Sequence, residues 1–160
     1  MTNLDATPKV LTGGGQAGGS VRVWTETVEA TASDSVSSTY LFARLPSNAR
    51  ILGASTISYD DLATTGAPIL DIGVFNQSGK SDITDDPDGI NASTLTLATA
   101  ADNQPIIGDC ANYGLPLWDF VNGQTTDPKV ELDIKGTLTD AALTAGGAGT
   151  ITVEIHYVTD

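Results

Sequence analysis

The sequence is short of the residues that carry most protein chemistry. Its 160 residues include one cysteine (Cys110), one histidine (His156) and one methionine. A lone cysteine excludes an internal disulfide and a cysteine-built zinc site. A lone histidine excludes paired-histidine metal motifs and leaves little material for a nucleophile–base pair. Bases are scarce too: seven Lys and Arg stand against twenty Asp and Glu, a formal net charge of −13. That balance excludes nucleic-acid binding through a basic face, which needs clustered Lys and Arg. Charged residues are only 17% of the chain, below the roughly 25% of an ordinary soluble domain, so the acidity reflects missing bases as much as added acids. No apolar run approaches the roughly 18 residues of a membrane-spanning helix, and the N-terminus has no basic region followed by an apolar one. The expectation is a soluble chain without a secretion signal.

What is present points to strands and turns. A hydrophobic fraction of 40% is too high for a disordered chain, and the length suits one domain with its own core. Ser and Thr make 33 residues, and Gly and Pro 24. Residues 12–20, TGGGQAGGS, have almost nothing to bury and read as a flexible linker, so residues 1–20 are set apart as an N-terminal arm and residues 21–160 as the folded domain. Val10 and Leu11 are the arm's apolar pair and its candidate contact with a neighbouring subunit. Extended segments are expected at residues 21–32, 40–45, 50–59 and 69–76, with the turn Pro46-Ser47-Asn48 between the second and third. The clearest period-two alternation is in residues 129–135, with Val130, Leu132 and Ile134 inward and Lys129, Glu131, Asp133 and Lys135 outward, and in residues 150–158, with Ile151, Val153, Ile155 and Tyr157 inward. Residues 93–101 fit either a short helix or a strand. An all-β domain of about eight strands in two sheets follows, most simply a jelly-roll β-sandwich.

Candidate sites are few. Asp86, Asp88 and Gly89 echo the spacing of a calcium loop, but Thr84 and Leu95 stand where a carboxylate and a bidentate Glu belong. A solvated acidic turn is the better reading, with Asp86 and Asp88 as weak cation candidates; no cofactor is implied. Asp60, Asp61, Asp71 and Asp119 lie near aromatic residues, yet no spacing sets two of them at a glycosidase separation. His156 reads as an exposed strand residue and Cys110 as a small buried apolar one. The apolar run Leu115-Pro116-Leu117-Trp118, with Phe120 beyond it, fits a core element or a subunit contact, so Leu115, Leu117, Trp118 and Phe120 are candidate interaction residues. Trp24, Tyr113, Trp118 and Phe120 could alternatively floor a sugar-binding groove, although core packing explains them more cheaply.

A resemblance adds to this. FARLPSNARI (residues 42–51) resembles a segment of small structural proteins encoded beside the major capsid gene in many tailed bacteriophages. In the same order, DIGVF (71–75), the acidic stretch 82–91, PLW (116–118) and AGGAGTITVEIHYV (145–158) are similar to further elements of that group; residues 1–35 show no such match. The resemblance implies a non-enzymatic capsid decoration, or cement, protein of jelly-roll type on the outer surface of the virion. It would bind the major capsid protein and self-associate, with a trimer favoured. A carbohydrate-binding or host-adhesion module on the virion is the alternative. Between residues 51 and 128 there are eleven aspartates and one base, Lys80, and this acidity is expected in loops, facing solvent or a basic shell.

Overall fold

The structure is a computed structural model that describes residues 20–63, 65–77, 83–143 and 148–159. Nearly all of residues 1–20, with Val10 and Leu11, lies outside the described residues, so the arm has no structural account.

Nine strands form. They are β1 (Arg22–Ala30), β2 (Thr39–Pro46), β3 (Arg50–Ile51), β4 (Thr56–Tyr59), β5 (Ile69–Asn76), β6 (Asp86–Thr96), β7 (Ala101–Pro105), β8 (Glu131–Thr139) and β9 (Gly149–Val158). One sheet runs β1-β9-β4-β7, with β3 also pairing β9; the other runs β2-β8-β5-β6. All pairings are antiparallel. Apart from the β5–β6 hairpin, successive strands from β1 to β9 cross between the sheets or, for β3 and β4, lie end to end along one side of β9. That wrapping is the jelly roll expected from the alternating segments. The strand beyond the expected eight comes from residues 50–59, which break at residues 52–55 into β3 and β4.

The core lies between the sheets. Ile151, Val153, Ile155 and Tyr157 of β9 and Ile57 and Tyr59 of β4 face Leu132, Ile134 and Leu138 of β8, Leu70, Ile72 and Val74 of β5, and Phe42 and Leu45 of β2, all of them buried. Period two holds because each inward residue of one strand sits opposite an inward residue of the next: Leu70 pairs Leu138, and Val74 pairs Ile134. Gly136 occupies the inward place where a Cβ would meet Leu70 Cδ1 and Phe42 Cε2 at 2.8 Å.

Several local expectations are corrected. Residues 129–135 do not form one strand: Lys129 has φ 52° and β8 starts at Glu131. Asp133 and Asp71 alternate outward but are buried, at 4% and 9% exposure. Arg44 donates to Asp133 through Nε at 2.6 Å and Nη2 at 3.2 Å, and Lys135 lies 3.6 Å from the same carboxylate. Asp71 accepts from the Ser93 backbone N–H at 2.6 Å and the Thr139 hydroxyl at 3.3 Å. Asp86–Gly89 is not a free turn but the start of β6, whose register against β5 slips between Val74↔Asp86, Ile72↔Asn91 and Leu70↔Leu95. The slips bulge β6 over β5, where Gly73 alone leaves room: a Cβ there would lie 2.5 Å from the Pro87 carbonyl oxygen and nearer still to that of Asp86. Residues 93–101 are strand to Thr96, a turn, and the first residue of β7, with Ser93 at φ 57° rather than capping a helix.

Candidate functional site

Strand direction sorts the loops into two poles. One pole gathers the described residues of the connections 31–38, 60–68, 97–100 and 140–148. They are tied together by Leu62 N–H to Leu97 O (2.9 Å), Leu97 N–H to Pro68 O (2.9 Å) and Leu143 N–H to Asp34 O (3.0 Å). These loops carry Asp34, Asp60, Asp61 and Asp140, with Asp102 at the start of β7, and no Lys or Arg. Much of this acidity holds the loops in shape. Asp34 accepts from the Thr31 backbone N–H (2.9 Å), the Thr31 hydroxyl (2.8 Å) and the Tyr40 hydroxyl (2.7 Å). Partial burial works against its charge, but these bonds outweigh it and hold the carboxyl below the usual range. Burial, and then Asp34, push the Tyr40 phenol well up. Asp60 accepts from the Thr150 backbone N–H at 2.7 Å and its hydroxyl at 3.0 Å, which lowers its pKa as well.

The opposite pole holds the start of β1, the end of β9, the turn at residues 47–49 and the long connection 106–130. Arg22 pairs Tyr157, Arg50 pairs Val158, and Arg50 also bridges to Pro116. The connection is pinned where Leu117 N–H reaches Ala49 O (2.7 Å) and Trp118 N–H reaches Ser47 O (3.0 Å). Ser47 is the clamp. Its hydroxyl donates to Asp127 at 2.5 Å and accepts from the Val130 N–H at 3.2 Å. Beside it an open cleft of about 430 Å³ lies between Pro46–Asn48 and Asp127–Glu131. Of the five described bases, Arg22, Arg50 and Lys129 are at this pole, while Arg44 and Lys135 engage Asp133. The domain is therefore electrostatically lopsided, with one pole of uncompensated acid and one of mixed charge.

The four apolar candidates in the connection separate by burial. A 3-10 turn, Leu117–Phe120, puts Leu117 (0% exposed) and Phe120 (5% exposed) into the core. Leu115 and Trp118 pack against that core and keep partial exposure. Only those two of the four present surface to a partner, next to the exposed Tyr113. Cys110 is exposed rather than buried, in the 3-10 turn Cys110–Asn112 whose Asp109 cap accepts the Ala111 N–H at 2.9 Å. His156 is half-buried and bonded to Glu154 Oε1 at 2.6 Å. Asp86 sits in a cleft with Asp119; burial and the neighbouring Asp88 carboxylate raise its pKa. Among the described residues no three His, Cys, Asp or Glu side chains converge as a metal site would require. Of the four aromatic residues Trp24, Tyr113, Trp118 and Phe120, Phe120 is buried in the core, and Trp24 on β1 donates its indole N–H to Phe42 O at 2.8 Å.

Apart from Trp24, named as a possible sugar-binding residue, sequence reasoning missed the most exposed apolar group. Val21, Val23 and Trp24 at the start of β1 and Leu41 on β2 are 56%, 54%, 39% and 47% exposed. Their Val/Thr-rich context signalled a strand, but the exposure follows from β1 and β2 being the outermost strands of their sheets, which only the strand order reveals.

No protein-family model matches the sequence, and neither does any curated protein sequence. Solved structures do match. The chain is similar to one in the "Cyanophage Pam1 capsid asymmetric unit", with a TM-score of 0.57 and 22% identity over 90% of this chain and 88% of that one. It is also similar to one in the "Capsid of Ralstonia phage GP4", with a TM-score of 0.60 and 18% identity over 91% and 88%. At these identities the likeness is one of fold.

Proposed function

We propose that this chain is a structural, non-enzymatic protein of a tailed-phage virion, bound to the outside of the head as a decoration or cement protein. The observation that carries the reading is the fold likeness, which spans about nine tenths of this chain and of chains found in two phage capsids. The phage-like segments support it independently, because they fall on elements that shape the fold. PLW is the pinned 3-10 turn, PSNA is the turn that pins it, and DIGVF is the strand over which β6 crosses.

In this role the mixed-charge pole faces the shell and the acidic pole faces solvent. The first carries Leu115 and Trp118 together with Arg22, Arg50 and Lys129, so apolar contact area and positive charge meet there, and the chain enters β1 at this pole from the arm whose sequence includes Val10 and Leu11. Its partner is the major capsid protein. The acidic pole keeps decorated particles soluble and apart by like-charge repulsion. Binding to the assembled shell, but not to dissociated subunits, stabilises the shell by mass action. Self-association accompanies the role; the sequence resemblance points to a trimer, whereas the exposed edge of β1 points to the two-fold contact argued below.

The test is addition of the purified chain to undecorated heads of its own phage. Co-sedimentation and a raised capsid melting temperature are expected. Binding should weaken in a Trp118→Ser variant and in a chain lacking residues 1–20. Binding unaffected by both changes would move the contact to another face.

A further inference from the structure

Of the four sheet edges, three are blunted. β7 is five residues long, ends at Pro105, carries Asn103 at φ 53° and slips register against β4. β6 slips twice against β5 and contains Pro87. β2 slips at Leu41/Ala43, ends at Pro46 and has its Phe42 carbonyl occupied by the Trp24 indole. β1 has none of these devices. It runs nine residues in unbroken register with β9, without proline, lysine or a positive φ, and no other described strand pairs with it. A long regular edge that begins with exposed Val21, Val23 and Trp24 is a template for another strand.

We infer that β1 is a homotypic interface, where a second copy of this chain adds its own β1 antiparallel across a two-fold axis to continue the sheet. Charge selects the occupant and the register. Residues 21–25 contain one base, Arg22, and no acid, so they are among the few places where a chain of net charge −13 can approach its own copy. A two-fold axis normal to the sheet must pass beside one residue and its equivalent, because paired residues share a face. Centred on Glu26, the pairing opposes two carboxylates. Centred on Thr25, it sets Trp24 against Glu26 and Val21 against Glu29. Centred on Trp24, it places Arg22 opposite Glu26 twice, Val23 opposite Thr25 twice, and the two Trp24 rings together. Cross-strand pairs of the last kind are the favourable ones. Among the described residues no ion pair joins Arg22 or Glu26 to another side chain. This inference stands apart from the capsid reading, and its failure would leave that reading intact.

The experiment is sedimentation velocity on the full-length chain over a concentration series at physiological ionic strength. The wild type should show a reversible monomer–dimer equilibrium. Arg22→Glu and Glu26→Arg should each weaken the dimer by about tenfold or more, since each variant turns two attractive cross-strand pairs repulsive. The double variant Arg22→Glu/Glu26→Arg should return to within about threefold of wild type, as expected for reciprocal pairs. Because Glu26 is half-buried, Val23→Lys at an exposed edge position is a second probe. It should dissociate the dimer without lowering the melting temperature of the monomer. A wild type that stays monomeric overturns the inference, as does a trimer indifferent to Arg22→Glu, or a double variant no better than the singles. A chain that dimerises only after residues 1–19 are removed would also overturn it, because those residues would then be the occupant of the edge.

Discussion

Gly73→Ala is the sharpest single test of how the fold is held. Gly73 faces out of the β2-β8-β5-β6 sheet, yet β6 bulges across it, and a Cβ would fall 2.5 Å from the Pro87 carbonyl oxygen and closer to that of Asp86. These are main-chain atoms and cannot rotate aside. The bulged segment must lift, which opens the ladder at Val74↔Asp86 and Ile72↔Asn91 at about 1 kcal/mol for each hydrogen bond lost. Asn91, 2% exposed, would give up its bond to Ile106 O at 3.1 Å, adding about 1–3 kcal/mol for a buried polar group left unpaired. Ile90, also 2% exposed, would lose part of a burial worth about 1.5–3 kcal/mol. The total comes to about 4 kcal/mol or more, a large share of the roughly 5–15 kcal/mol that holds a domain together. Gly136→Ala is the yardstick. Its added Cβ meets side-chain ends of Leu70 and Phe42 at 2.8 Å, which can yield at about 1–3 kcal/mol. Urea unfolding followed by tryptophan fluorescence compares the two. A Gly73→Ala protein within about 1 kcal/mol of wild type, or more stable than Gly136→Ala, would refute the crossing of β6 over β5.

Three further outcomes follow from the same geometry. Leu117→Ala should cost about 2–5 kcal/mol in urea unfolding, because Leu117 is fully buried; a change near zero would return it to the surface. Asp34→Asn should cost about 1 kcal/mol at neutral pH. Its folded pKa lies below the ordinary 3.8, so the stabilisation is present above pH 3.8 and lost as pH falls through the lower folded value; wild-type and variant melting curves should converge there. Cys110, being exposed, should react stoichiometrically with a thiol reagent in the native protein, whereas protection until denaturation would place it in the interior.

Much of the fold was legible because alternation is a local property. Residues 150–158 and the inward half of residues 129–135 named their core side chains correctly, since one wet face and one dry face suffice to produce the pattern. The pattern misled where groups on neighbouring strands of the same sheet close over the wet face. Asp71 and Asp133 look like solvent-facing residues in a period-two strand, and nothing local reports that Ser93 N–H or Arg44 will reach them. The acidity of residues 51–128 was assigned to loops, although Asp86, Asp88 and Asp102 lie in strands. Asp86–Gly89 has turn composition, but its pairing with β5 is set by the glycine at position 73, thirteen or more residues away. Cys110 followed its residue type rather than its turn and was misplaced inside. Within the interaction set, composition could not separate Leu117 and Phe120 from Leu115 and Trp118; a 3-10 turn decides which side chains point inward. The β1 edge was invisible for a deeper reason, since strand order in a jelly roll is a long-range property.

The proposed role as a structural component of a phage head is tested most directly by the effect of the chain on that head. Capsids of the same phage lacking the protein, mixed with the purified chain, should bind it in a fixed ratio to the major capsid protein and melt at a higher temperature than the bare capsids. No co-sedimentation and an unchanged melting temperature would contradict the account.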